Sequence, residues 1–266
     1  MGRWLAGGLT GLAVCAMLGV PASSAQGTAP GAAPEEAVLE TTAAVDTLSN
    51  YMWRGMRLSD GWVVQPSVTL AYRGVALNVW ASVDMNEYPI GSGNRGGRFT
   101  EADFTLSYAR SIGKVDLSGG IIYYGLRGFR DTSELFVTVG PQLILHPSLS
   151  VYYDFGAGDG GFAIASVGHT IALTKDVPLR LGGSASFNLK NAVMGPGTRG
   201  AAFTGPYSAE FSASADMPLV WGLTLTPRVA YSFALSDNAR TALRTSSYDG
   251  STHRLWYGGV TVARSF

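Results

Sequence analysis

Residues 223–235 read LTLTPRVAYSFAL. Leu223, Leu225, Pro227, Val229, Tyr231, Phe233 and Leu235 share one parity; Thr224, Thr226, Arg228, Ala230, Ser232 and Ala234 share the other. In an extended chain successive side chains point to opposite faces, so this stretch predicts a strand with one apolar face and one small or polar face.

The same split recurs along the chain. Val75, Leu77, Val79, Ala81, Val83 and Met85 oppose Asn78, Trp80, Ser82 and Asp84. Val177, Leu179, Leu181, Ala185, Phe187 and Leu189 oppose Arg180, Ser184, Ser186 and Asn188, and Leu149, Val151, Tyr153 and Phe155 oppose Ser150, Tyr152 and Asp154. Twelve segments follow the pattern: 42–54, 62–72, 75–86, 99–111, 115–124, 133–145, 148–156, 162–174, 177–189, 206–216, 222–235 and 252–266. Their connections alternate between short (Arg73-Gly74, Gly113-Lys114, His146-Pro147, Lys175-Asp176, Met217 to Trp221) and long (55–61, 87–98, 125–132, 157–161, 190–205, 236–251).

Strands of about ten residues with short turns at one end and long loops at the other predict an all-β fold: a transmembrane, antiparallel, up-and-down β-barrel of about 12 strands. Closure pairs every backbone group, which hydrocarbon demands. A soluble barrel or sandwich has the same periodicity with the apolar parity inside. Three features favour the membrane form. The polar parity is small enough to line a lumen. Tyr51, Trp53, Trp62, Tyr123, Phe155, Phe187, Tyr231, Phe233 and Trp256 gather at the long-loop ends, and Tyr72, Tyr108 and Trp221 at the other, as two interfacial girdles. The third is Phe266, a terminal aromatic of the kind the barrel assembly machinery reads; Arg264 on the same parity is expected to snorkel.

Arg3 followed by the apolar run Trp4 to Val20 and the small residues Ser23-Ser24-Ala25 predicts a signal peptide over 1–25. A flexible leader is expected over 26–40 and the barrel over 41–266, in the outer membrane, reached through the periplasm. The single cysteine, Cys15, lies in the signal, so the exported part has neither disulfide nor thiolate. Removing Arg3 leaves 19 − 1 = 18 basic against 19 acidic residues, a balance that gives no footprint for nucleic acid.

Near the start, 49–61 read SNYMWRGMRLSDG. With the first strand running outward, Tyr51 and Trp53 fall on the lipid parity of the outer girdle, and Asn50 and Arg54 on the lumen parity at the mouth. Gly55 to Gly61 then form the first outside loop. A ligand role for Arg54 and Arg57 at the mouth is the other reading.

The stretch 49–72 resembles the opening of the TorF family of porin-like outer-membrane proteins, through Asn50, Tyr51, Trp53, Arg54, Gly55, Ser59, Asp60 and Gln65. VALNVWASVDMN (75–86), IIYYG (121–125), TSELFV (132–137) and LHPSLSVYYDFGAGDG (145–160) are similar to later parts of that family. The likeness is strongest over the first 40 residues of the barrel and leaves 190–205 and 236–251 unmatched. It implies a barrel and a pore, with no particular substrate.

On the lumen parity stand nine acids (Asp46, Asp84, Glu101, Asp103, Asp116, Glu134, Asp154, Glu210, Asp216) against four bases (Arg54, Arg180, Lys190, Arg228), a net 4 − 9 = −5. One expectation is a channel for passive diffusion of small hydrophilic solutes, favouring cations, with Arg54, Asp84, Glu134, Asp154, Arg180, Glu210 and Arg228 lining the pore. Trp80, Tyr124 and Tyr152 on the same parity would constrict it. Equally open is a set of cross-strand ion pairs that fill a narrow barrel, since twelve strands lie between filled and open sizes. The alternative function is a closed structural or adhesive barrel that binds partners through its outer loops.

His146-Pro147-Ser148 has the His-x-Ser spacing of a lipid-acting enzyme but falls at a short turn, and no catalytic site is assigned. His169 sits near the lipid parity unless a bulge at Gly168 turns it inward. Three scattered histidines give no metal site, and no cofactor is expected. GSGNRGG (91–97) is a loop tip without the strand-then-helix context of a nucleotide loop. The expected partners are outer-membrane lipids, the assembly machinery and small hydrophilic solutes.

Overall fold

The computed structural model describes residues 38–86, 96–247, 250 and 252–266. The signal peptide and most of the leader lie outside these residues, as do most of the 91–97 loop and Asp249.

Twelve strands form the wall: β1 (Glu40–Leu48), β2 (Val63–Tyr72), β3 (Val75–Asp84), β4 (Arg98–Ile112), β5 (Val115–Leu126), β6 (Thr132–Pro141), β7 (Ser148–Asp154), β8 (Gly160–Ala172), β9 (Pro178–Leu189), β10 (Thr204–Ala215), β11 (Leu223–Ala234) and β12 (Arg254–Ser265). Each pairs antiparallel with its neighbour in sequence. The first and last strands then join, with Thr42 opposite Ser265 and Leu48 opposite Gly259, so the sheet is closed. Closure leaves no unpaired edge.

Parity decides which wall meets the surroundings. Val68, Leu70, Leu77, Val79, Phe104, Leu106, Leu135, Val137, Leu149 and Val151 are exposed on the outside. Gln65, Ser67, Thr69, Asn78, Ser82, Thr105, Thr138, Ser150, Ser186 and Ser232 are buried on the inside. A soluble barrel would have the reverse arrangement. A predominantly apolar outer wall matches hydrocarbon, where unpaired strand edges are excluded. Trp62, Tyr123, Phe155, Phe187 and Trp256 stand exposed toward the long-loop rim, and Tyr72, Tyr108 and Trp221 toward the other. Tyr231 stacks between Phe233 and Trp256 on the outer wall.

The short turns follow backbone chemistry. Arg73 and Gly74 have φ of 50° and 83°. Two consecutive positive φ values define the turn whose twist matches a hairpin, and glycine supplies the second at no steric cost.

Several expectations need correction. The first strand ends at Leu48, not residue 54, and the sixth ends at Pro141, not 145. Gly168 makes no bulge: β8 and β9 stay in register from Phe162 to Ala172, so His169 remains on the exposed outer wall. Lys190 is exposed beyond the end of β9 rather than in the lumen. The stretch 236–251 contains a helix, α1 (Asp237–Ser246), whose Ser236 hydroxyl accepts from the Ala239 amide at 3.1 Å. That N-cap satisfies one of the orphan donors of the first turn.

Candidate functional site

The largest departure from the sequence reading is residues 49–61. They do not continue outward as strand and loop; they fold into the barrel. Met52–Trp53 and Met56–Arg57 pair as a miniature hairpin, with Trp53 opposite Met56. Arg54 and Gly55 make its two-residue turn, with φ of 50° and 86°. This is the same Arg-Gly turn as at Arg73-Gly74, aimed into the lumen instead of the periplasm. At Gly55 a Cβ would stand 2.9 Å from Ser208 Cβ, so the turn fits against β10 only as glycine.

Arg54 is 3 % exposed and crosses the lumen to Glu134 on β6, which is 0 % exposed. Nη1 donates to Oε1 and Nη2 to Oε2, each at 2.7 Å. Two parallel charge-assisted bonds are the strong, planar form of this pair. The Tyr124 hydroxyl donates to the same carboxylate at 2.9 Å. The guanidinium carbon lies 4.6 Å from the Trp53 ring, 4.5 Å from Tyr152 and 4.6 Å from Phe162. Aromatic faces carry negative potential that attracts a cation, more so where water is excluded. The Ser208 hydroxyl donates to the Arg54 carbonyl at 3.3 Å, fixing the tip on a third strand.

Around this tie an apolar plug forms. Trp53, Met56, Ile122, Tyr124, Tyr152, Phe162, Ile164, Met194, Tyr207 and the Ala239–Ala242–Leu243 face of α1 are buried together. Trp53 meets Tyr124 edge-on at 5.9 Å and Phe162 meets Tyr207 at 5.5 Å. Tyr51 leans on Trp80 at 5.6 Å, inside the barrel. Tyr51 and Trp53 are therefore not lipid-facing girdle residues. Their outward placement would follow only if β1 kept its alternation past Leu48, and Ser49-Asn50 bend the chain there instead. Asn50 holds the bend by donating to the Ser59 carbonyl at 3.3 Å.

The other inward charges mostly have protein partners. Arg180 pairs with Asp216, Tyr257 donates to Glu210 at 2.6 Å, and Arg228 lies 5.8 Å from the Tyr257 ring centroid. Thr261 donates to Asp46. Asp84 accepts from the Asn86 amide at 2.8 Å; Asp154 accepts from Thr132 at 2.5 Å and from the Gly156 amide at 2.8 Å, so both act as turn caps at the outer rim. Asp103, 3 % exposed, lies beside Glu101 and the Gly125 backbone.

Toward the periplasm the interior changes. Ser107, Ser118, Ser148, Ser150, Thr138, Ser166, Ser184, Ser212, Ser214 and Thr226 line the inner parity there. Ser148 belongs to this set and faces the lumen, so His146 and Ser148 do not form a pair on the outer wall. No group of three or more His, Cys, Asp or Glu positioned to hold a metal occurs among the described residues.

A closed twelve-stranded barrel with an apolar outside and a polar inside is an outer-membrane β-barrel. No protein-family model and no curated protein matches the sequence. Among solved structures, the chain is similar to an outer membrane channel from Pseudomonas putida F1, with 11% identity, a TM-score of 0.48, and 90% of this chain and 100% of that one covered. It is also similar to the translocator domain of the autotransporter NalP from Neisseria meningitidis (11% identity, TM-score 0.47, 86% of this chain and 88% of that one). The NanC porin is a further neighbour (9% identity, TM-score 0.46, 85% of this chain and 98% of that one).

Proposed function

We propose that the barrel is a porin-like channel for passive diffusion of small hydrophilic solutes, restricted at its outer mouth by the Arg54 hairpin. The observation that carries this reading is the periplasmic half of the lumen. Apart from Asp116, Arg228 and the Arg180–Asp216 pair, its wall is mostly Ser, Thr, Ala and Gly, side chains too short to fill a barrel of twelve strands. Water and small polar solutes are the natural occupants of such a space.

Cation preference is part of the proposal. Arg54 neutralises Glu134 and Arg180 neutralises Asp216. Asp46, Asp84, Glu101, Asp103, Asp116, Asp154 and Glu210 then remain on the inner parity against Arg228. A surplus of one sign along a pore biases which ions pass. Arg54, Asp84, Glu134, Asp154, Arg180, Glu210 and Arg228 are proposed as its charged lining. The TorF resemblance is consistent with this reading and rests on its motif residues, of which Trp53, Arg54 and Gly55 build the hairpin.

Removal of a signal over 1–25, a free leader ahead of β1 and reading of Phe266 by the assembly machinery belong to the same proposal. Phe266 is exposed, its amide donates to the Thr41 carbonyl at 2.9 Å, and Arg264 lies 4.7 Å from its ring.

The plugged mouth also favours the second reading, a closed barrel whose outer loops bind a partner. A planar bilayer separates them. Refolded mature protein across a KCl gradient should give steady current with a cation-selective reversal potential; a folded barrel that carries no current, even with the hairpin tie removed, would leave the second reading.

A further inference from the structure

Remove the hairpin in thought, and a pocket of defined chemistry remains on the wall. Glu134 offers two carboxylate oxygens in one plane, Tyr124 fixes one of them, and the rings of Tyr152 and Phe162 flank the space. These four side chains come from β5, β6, β7 and β8, not from the hairpin. The group now seated there is a guanidinium, held by both nitrogens and covered by aromatic faces.

The group is carried on the tip of the hairpin. Position 54 has φ of 50°, a value that exposed Arg73 shares, so the turn itself does not select the side chain; the lumen contacts do. Trp53, Met56 and the Ser208 bond help to seat the loop beside the ion pair.

We propose that the pocket of Glu134, Tyr124, Tyr152 and Phe162 is a recognition site for solutes bearing a guanidinium group, and that Arg54 occupies it as an internal surrogate. The inference deepens the channel reading by naming a solute class: a guanidinium solute displaces Arg54, and the hairpin yields the mouth. Guanidinium is selected over ammonium because only a planar fork matches both oxygens of Glu134 at once. Arg54, being tethered, competes at high effective concentration, so the intact protein binds such solutes weakly.

The test is calorimetric titration of the refolded mature chain in lipid nanodiscs with L-argininamide, and with L-citrullinamide as the uncharged control of like shape. Arg54→Asn suits the positive φ and cannot reach Glu134. It should bind argininamide at least tenfold more tightly than the unmodified chain, and Arg54→Asn with Glu134→Gln should lose at least tenfold of that affinity. Arg54→Lys, which keeps a charge at the tip without the fork, should fall between.

Folded Arg54→Asn and Arg54→Lys barrels that give no heat with argininamide would overturn the proposal. So would equal binding of citrullinamide, or binding indifferent to Glu134→Gln. Binding in a protein that carries no current would keep the site and remove the channel; current without binding would do the opposite.

Discussion

From Thr132 to Glu134 along β6 the barrel interior is occupied by Trp53, Met56, Tyr124, Tyr152, Phe162 and a buried ion pair, while from Thr138 toward the periplasm it is bordered by hydroxyls and small side chains. Both halves share the same strands, the same register and the same outer wall. They differ in what the inner parity carries and in whether the chain itself fills the space. The outer half is built as a protein core, with rings, a methionine pair and a helix face excluding water. The inner half carries short side chains and hydroxyls, which the proposed channel takes as its lumen wall. The teaching is that a strand's length of sequence can hold two environments on one face, and the change of residue size marks the boundary.

The largest effect is expected where the outer half is most committed. Glu134→Ala leaves a buried guanidinium without its carboxylate, which costs about 3–5 kcal/mol, the usual loss on breaking a buried pair from one side. In urea titrations of the barrel in vesicles this should appear as a lowered midpoint, with the current through the mouth increased because the hairpin is freed. An unchanged midpoint and current would mean that Arg54 is not the tie.

Leu243→Ala comes next. It opens a cavity between α1 and the plug and should cost about 2–5 kcal/mol if the plug is packed as tightly as a core. A loss confined to α1, seen as hydrogen exchange in 237–246 with the hairpin still protected, would sharpen the picture by separating helix from hairpin.

The smallest effect belongs to the inner half. Thr138→Ala removes one hydroxyl–hydroxyl contact of 2.8 Å with Ser150 and should cost about 0.5–1.5 kcal/mol. Ser150→Phe should leave the fold standing and reduce current, since on the channel reading it places a ring in the lumen. If Ser150→Phe instead fails to fold, the inner half is packed and the contrast between the halves disappears.

Much of the barrel was legible because period-two alternation is a direct consequence of strand geometry. The twelve strands follow from it, whereas the apolar outside rests on the small polar parity and the two aromatic girdles, because a soluble barrel shares the period. The plug was not legible for a related reason. Tyr51, Trp53 and Arg54 continue the alternation of β1 as though the strand went on, and nothing in a two-residue period distinguishes a strand from a small hairpin bent back through the lumen. The missing signal lies on other strands. Trp80, Ile122, Tyr124, Tyr152 and Phe162 all fall on the inner parity near the outer rim, where a water-filled mouth would give them no apolar neighbour. Apolar residues on the polar face imply a segment that covers them, and Arg54-Gly55 repeats the turn dipeptide of Arg73-Gly74. The helix was legible in principle as well: Ser236 ahead of Ala239, Ala242 and Leu243 has the cap and spacing of a short amphipathic helix.

The most direct test of the account compares single-channel current through the unmodified barrel and through Glu134→Ala, in the same bilayer across the same KCl gradient. The account predicts a cation-selective current in both, several-fold larger in Glu134→Ala because the hairpin no longer holds the mouth. Equal currents would contradict the tie, and silence from two folded barrels would contradict the channel.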